Sequence, residues 1–356
     1  MSSLLDRIAL YRSTPRALTL ASLERFGEQC SRGYRGGRAV GFPSAYGSVN
    51  SIVVCGMGGS ALGTDVIKSV FFSSLPVPLT IVNGYHIPHS VNKKTLVVLS
   101  SYSGNTEEVM SAAAEAKRTG ARITGLTAGG KLAAFFRRHR LPWYQIDGKA
   151  NPSGQPRMGL GYSVMGQVGL FSRMKLLRVS GTDIRRCIAH IGTRATKLGP
   201  MIVTDQNEAK SLAGSLFGRF PILIGAEHLV GSMHVFANQL NETAKVFATY
   251  FPLPELNHHL LEGLRFPREI RSGTIVCARS SLYDAAVTKR LRITADIALR
   301  KGLRSVSFSA TGQDPLSQAL DSLVLSGYTS FYLSVLNRVN PLEISAVDEF
   351  KKRLAR

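Results

Sequence analysis

Cysteine is scarce: the 356-residue chain has 4, at Cys30, Cys55, Cys187 and Cys277, and no C-x-x-C pair. Such spacing suggests neither a zinc site nor a disulfide framework, and it suits a reducing, cytoplasmic compartment. Long apolar runs are also missing. No uninterrupted apolar stretch approaches the ~20 residues that cross a bilayer, and Asp6 and Arg7 break the segment where a signal peptide needs its apolar centre. A soluble, unexported protein is expected. Acidic residues are few, with 23 Asp and Glu against 44 Lys and Arg, a formal charge of +21. That surplus raises nucleic-acid binding as a question. The densest basic clusters, Arg137-Arg138-His139-Arg140 and Lys351-Lys352-Arg353, are short and carry no interleaved aromatics. The expected partner is therefore not nucleic acid but an anionic small molecule.

What the chain does have is serine and glycine where strands hand over to helices. Short apolar runs at 51–55, 79–83, 95–100, 122–127 and 143–146 alternate with helical patterns, and the alternation restarts at 221–225, 274–278 and 305–309. Alternation of this kind predicts parallel sheets covered on both faces. The expected class is α/β, two doubly wound halves divided near 185–199. Ahead of them, Leu4, Leu5, Ile8, Leu18, Leu20, Leu23 and Phe26 read as a helical arm, and the Gly-Arg-rich stretch 34–38 reads as a linker.

Two turns stand out. Cys55-Gly56-Met57-Gly58-Gly59-Ser60-Ala61 follows the first strand, and Ser100-Ser101-Tyr102-Ser103-Gly104-Asn105-Thr106-Glu107-Glu108 follows the third. A helix N-terminus offers unpaired N–H groups and partial positive charge, glycine lets the backbone approach an anion, and hydroxyls add donors. A phosphorylated small molecule fits. Gly56, Gly58 and Ala61 also fit the dinucleotide fingerprint G-x-G-x-x-A. That fingerprint calls for an acidic residue at the end of the second strand. Asn83 stands there instead.

These turns are similar to the paired signatures of sugar isomerase (SIS) domains. Leu126-Thr127-Ala128-Gly129-Gly130, Gln155-Pro156-Arg157, Leu240-Asn241-Glu242, Glu255-Leu256-Asn257-His258 and Val347-Asp348-Glu349-Phe350-Lys351 add further matches in order. Together they resemble the bifunctional phosphoglucose/phosphomannose isomerases. The resemblance implies two SIS domains of the flavodoxin-like three-layer αβα kind in a homodimer, with an N-terminal arm at 1–45, domains at 46–195 and 196–356, and a C-terminal helix. It implies interconversion of glucose 6-phosphate or mannose 6-phosphate with fructose 6-phosphate, with no cofactor and no metal.

By the same resemblance, Gly58, Gly59 and Ser60 face the sugar, and Ser101, Ser103 and Thr106 hold its phosphate. Arg157 sits near C1–C2, where its fixed charge steadies an enediolate. Glu242 is the base, His258 opens the ring from the neighbouring subunit, and Lys351 touches the sugar ring. Taken alone, Glu242 would be read as a surface glutamate paired with Lys245. Two departures stand out. His259 follows His258 where the family commonly has asparagine, and Asn340-Pro341-Leu342 replaces a pattern often read Asn/Asp-Pro-Thr, which bears on the glucose/mannose preference. Other readings stay open: a non-catalytic SIS sensor, although the arm shows no recognition-helix pattern, and another SIS aminosugar-phosphate enzyme.

Overall fold

The structure is a computed structural model and describes residues 4–354. Helices α1 (Thr14–Glu24) and α2 (Phe26–Ala39) precede a parallel sheet of β1 (Ser51–Gly56), β2 (Leu79–Val82), β3 (Thr95–Ser100), β4 (Arg122–Thr127) and β5 (Tyr144–Gln145), in spatial order β2-β1-β3-β4-β5. Helices α3 (Gly59–Val70), α4 (Glu107–Arg118) and α5 (Gly130–Arg138) cross between its strands, and α6 (Leu160–Arg173), α7 (Gly181–Lys197) and α8 (Glu208–Leu216) follow. A second parallel sheet, order β7-β6-β8-β9, contains β6 (Phe220–Ala226), β7 (Thr249–Leu253), β8 (Gly273–Arg279) and β9 (Arg304–Ser309). With it go α9 (Val230–Gln239), α10 (Leu260–Gly263), α11 (Ala285–Arg300), α12 (Pro315–Leu336) and α13 (Ser345–Leu354).

Both expected doubly wound sheets are present. Strand β3 is buried along its whole length and β1 nearly so, as sheets covered on both faces require. The first order, 2-1-3-4-5, reverses between β1 and β3, and a ligand of such a sheet lies beyond the carboxyl ends of the strands at that reversal. Gly56 pairs with Ser100 across β1 and β3, so the two serine- and glycine-rich turns leave the sheet side by side there.

Two parts differ from expectation. The stretch 34–38 is not a linker but the last turns of α2, which lies against α6. A Cβ on Gly37 would stand 2.2 Å from the Gly166 carbonyl oxygen, and one on Gly33 would stand 3.0 Å from the Gly161 carbonyl and the Gly166 nitrogen. The glycines let two helix backbones touch. Strand β7 had no forecast, since Pro252 interrupts it, yet proline is tolerated at the sheet edge where β7 sits. Helix α7 spans most of the stretch 185–199 at which the halves were expected to divide, and α8 then leads into the second sheet. Helix α12 is long and apolar enough by composition to cross a membrane, and all of it beyond Pro315 is buried inside the protein.

Candidate active site

The first turn starts α3. Gly58 has φ +48°, a conformation favoured by glycine, and α3 begins with no side-chain cap. Ser60 ties this turn to the second one: its Oγ accepts from the Tyr102 N–H at 2.9 Å, and its carbonyl accepts from Ser100 Oγ at 2.8 Å. In the second turn the buried Ser101 Oγ and Thr106 Oγ1 share a hydrogen bond at 2.8 Å, and Ser101 Oγ also accepts from the Gly104 N–H at 3.0 Å. Ser103 is exposed, and its Oγ accepts from the Asn105 N–H at 3.3 Å. Thr106 is the N-terminal cap position of α4, and no side chain caps that helix. Gly104 holds φ +72°, and a Cβ there would strike the Gly129 carbonyl, so the turn after β4, at 128–130, packs directly on the second.

Asn83, at the position where a dinucleotide site has an acid, donates its amide to the Gly56 carbonyl at 2.7 Å. The position is occupied with bracing the first turn.

Arg157 lies on a short 3-10 turn, Pro156–Met158, against the first turn: a Cβ on Gly59 would stand 3.2 Å from the Arg157 nitrogen. The guanidinium is 1% exposed and all five of its N–H donors are engaged. Nε donates to Thr243 Oγ1 at 3.3 Å, Nη1 to Gln155 Oε1 at 2.9 Å and to Glu242 Oε2 at 3.2 Å, and Nη2 to the Pro341 and Leu342 carbonyls at 2.7 and 3.1 Å. Burial lowers its pKa from the ordinary arginine value, and the Glu242 charge opposes that.

Glu242 lies not on α9 itself but on a π-helical turn, Leu240–Ala244, that ends it. Single π turns inside or at the end of helices often sit at functional sites. Its half-buried carboxylate is the ion-pair partner of Arg157, while Lys245 reaches the Glu242 carbonyl instead of the carboxylate. The surface-pair alternative is thereby excluded. Gln155, Thr243 and the carbonyls of residues 341 and 342 complete the arginine's shell. Gln155 stood in a recognised motif, and Pro341 and Leu342 in a pattern noted for its departure, but the contacts of those two are backbone carbonyls and leave no trace in residue type.

The structure therefore gathers Gly59, Ser60, Ser101, Thr106, Arg157 and Glu242 about the carboxyl edge of the first sheet. Gly58 and the exposed Ser103 lie on the same two turns, while His258 and Lys351 stay apart. His258 is exposed on the 3-10 turn Glu255–His258, and among the described residues its side chain has no hydrogen-bond or ion-pair partner, whereas His259 pairs with Glu255 at 2.8 Å. Lys351 is exposed on α13, a helix with no buried residue. Among the described residues no group of three or more His, Cys, Asp and Glu could hold a metal ion. A groove of about 710 Å³ opens elsewhere, where α3 faces α9, but its Asp65 and His234 are already paired at 3.0 Å and it meets neither hydroxyl-lined turn.

Comparison with known proteins gives three kinds of match. The profile described as the bacterial phospho-glucose isomerase C-terminal SIS domain matches residues 205–354. A protein of Caldicellulosiruptor bescii named bifunctional phosphoglucose/phosphomannose isomerase is 31% identical over 337 residues, covering 92% of this chain and 96% of that one. One of Sulfolobus acidocaldarius named D-glucosamine-6-phosphate 4-epimerase is 28% identical over 247 residues, 67% of this chain and 74% of that one. Among solved structures, a hypothetical protein from Thermus thermophilus shares the fold with TM-score 0.73 at 17% identity, covering 99% of this chain and 94% of that one.

Proposed function

Since this chain belongs to the bifunctional phosphoglucose/phosphomannose isomerase family, we propose that it interconverts glucose 6-phosphate and mannose 6-phosphate with fructose 6-phosphate through a cis-enediol. The observation that carries the reading is the Glu242 carboxylate held 3.2 Å from a fully buried arginine, on a turn that reaches the hydroxyl-rich phosphate loops through Gly59 and Arg157.

In this reading Ser101, Ser103 and Thr106 hold the phosphate at the uncapped start of α4, and Gly58, Gly59 and Ser60 line the sugar. Glu242 takes the proton from C2 of the aldose and returns it to C1, while the proton on the 2-hydroxyl passes to O1. One carboxylate on one face of the sugar does both transfers. Arg157 steadies the enediolate through its fixed charge, because its N–H groups are already engaged. His258 opens the ring from the neighbouring subunit of a homodimer, and Lys351 contacts the ring. The dimer, a cytoplasmic setting and the domain limits 46–195 and 196–356 belong to the same proposal. What supports donation of His258 across an interface is its exposure and, among the described residues, the lack of a hydrogen-bond or ion-pair partner for its side chain.

The test is a coupled assay with fructose 6-phosphate and EDTA, detecting glucose 6-phosphate and mannose 6-phosphate separately, on the parent and on Glu242→Gln. Both products from the parent and none from the variant are expected. Turnover retained by the variant would remove Glu242 as the base. Binding without turnover in the parent would favour a sensor. The epimerase-named relative motivates a parallel assay with glucosamine 6-phosphate; turnover there and none on fructose 6-phosphate would move the protein to aminosugar chemistry.

A further inference from the structure

Lys245 follows directly on the π turn that carries Glu242, and its backbone is left-handed, with φ 56° and ψ 37°. Residues other than glycine adopt that conformation uncommonly, asparagine more readily than lysine. Its ammonium donates to three carbonyl oxygens: Glu242 at 2.6 Å, Asn340 at 3.0 Å and Glu343 at 2.6 Å. An ammonium has three protons, so none is left over.

Two of those acceptors lie on the segment joining α12 to α13. The same segment is gripped by Arg157, which takes the carbonyls of Pro341 and Leu342. Four successive carbonyls, residues 340 to 343, therefore converge on two cations. One cation also binds the Glu242 carboxylate, and the other binds the Glu242 carbonyl. Desolvation lowers the lysine's pKa, the Arg157 charge adds to this, and Glu343 and Glu242 oppose it. The ammonium thus feels the same charges that define the site.

We propose that Lys245 is a positioning residue for the isomerisation: by tying the Glu242 carbonyl to the Asn340 and Glu343 carbonyls, it fixes the base relative to the segment that launches α13 and Lys351. The inference rests on the assignment of Glu242 as the base. It accounts for a lysine kept in a backbone conformation that glycine would fill at lower cost. A residue that acts through Glu242 affects the chemical step, while the phosphate loops on the first sheet continue to hold substrate.

Two variants separate positioning from folding. Lys245→Met keeps the aliphatic stem and loses the donors, and Lys245→Gly also loses the donors but suits the left-handed backbone. In both, kcat with fructose 6-phosphate is expected to fall by at least about tenfold while KM changes by less than about threefold. Amide hydrogen exchange is expected to speed up together at 240–245 and 340–345, with protection elsewhere retained. Unchanged kcat or unchanged exchange at these two segments would overturn the clamp. In Lys245→Gly, a fall in kcat matched by an equal rise in KM and loss of protection throughout would reduce it to a fold contact. If Lys245→Met does not fold, the glycine variant decides alone. A parent without turnover would sink the base assignment and the positioning role together; altered exchange in both segments would still leave the clamp as a physical link, so the two failures read differently.

Discussion

Replacing Arg157 by methionine removes five donors from a site that is 1% exposed. Methionine recovers most of the volume, so the loss is electrostatic: Gln155 Oε1, Thr243 Oγ1, two carbonyls and the Glu242 carboxylate lose a partner. Breaking one side of a buried ion pair costs about 3–5 kcal/mol. Glu242 keeps 29% of its side chain exposed and can regain water, and Leu342 is only partly buried, which places the expected loss near the lower end, about 3 kcal/mol. At ~2.1 cal/mol/K per residue the chain unfolds with an entropy of roughly 0.7 kcal/mol/K, so Tm should drop by about 4 °C. Arg157→Lys keeps the charge but offers three donors in place of five, and should lose about half as much stability with a fall in kcat of about 100-fold or more. The assay is thermal unfolding by circular dichroism of the parent, both single variants, and Arg157→Met combined with Glu242→Gln. Neutralising the stranded carboxylate should return about 1 kcal/mol, or 1–2 °C. A Tm within about 1 °C of the parent for Arg157→Met, or no recovery in the double variant, would refute the idea that this pair is a held charge at the centre of the site.

Three other expectations follow from particular contacts. Gly37→Ala gains about 1 kcal/mol of helix propensity but must push α2 off the Gly166 carbonyl, 2.2 Å from the new Cβ; overpacking wins, with a net loss of about 2 kcal/mol or more by thermal unfolding, and a neutral outcome would mean that α2 and α6 do not touch there. Ser103→Ala should raise KM for fructose 6-phosphate without lowering Tm, since the hydroxyl is exposed, whereas Ser101→Ala should do both, because its Oγ holds Thr106 and the Gly104 N–H; equal effects of the two variants on Tm would contradict this. Burial pushes the Cys55 thiol up to about 12 and those of Cys187 and Cys277 to about 11, and Cys30 is fully enclosed, so a disulfide reagent at pH 8 should titrate less than about one thiol in the native protein and four after unfolding.

Strand β3 and its turn were legible because the apolar run ends abruptly in Ser100-Ser101, and sheet order then follows from crossover geometry. Helix α12 carries no amphipathic period: it is buried on all sides, and Ser322, Ser326 and Ser334 return hydrogen bonds to their own helix, as Ser322 does to the Gln318 carbonyl at 2.9 Å. A helix of that kind gives no periodic signal. The stretch 34–38 misled for the opposite reason. Glycine usually punctuates a chain, but in α2 it serves close approach to α6, and only the partner backbone reveals that. In the site, Glu242 and Arg157 were legible as residue types in motifs, while their pairing and the four carbonyls of residues 340–343 were not, because backbone acceptors are the same in every sequence.

The two sheets share a topology yet differ in what they offer an anion, and the difference lies in the caps. On the first sheet, α4 begins at Thr106 with no side-chain cap, so its leading N–H groups remain available, whereas at α5 Asn105 Oδ1 takes the Lys131 N–H at 3.1 Å and the Gly104 carbonyl takes the Leu132 N–H at 2.9 Å. On the second, the Asp284 carboxylate takes the Ala286 N–H at 2.7 Å to start α11, and the Asp314 carboxylate takes the Ser317 N–H at 2.9 Å to start α12. Glu227 adds a third carboxylate at the end of β6, accepting from the Asp284 N–H. At α11 and α12 carboxylates already occupy groups a phosphate would use, and their charge repels a dianion. The first sheet is not free of opposing charge, since Glu107 and Glu108 open α4; Glu107, however, lies toward Tyr85, 3.4 Å from its hydroxyl, on the exposed side of the turn. On the proposed reading this divides the work: the first sheet would take the phosphate at the start of α4, and the π turn after α9 would bring Glu242 to it, anchored by the buried arginine.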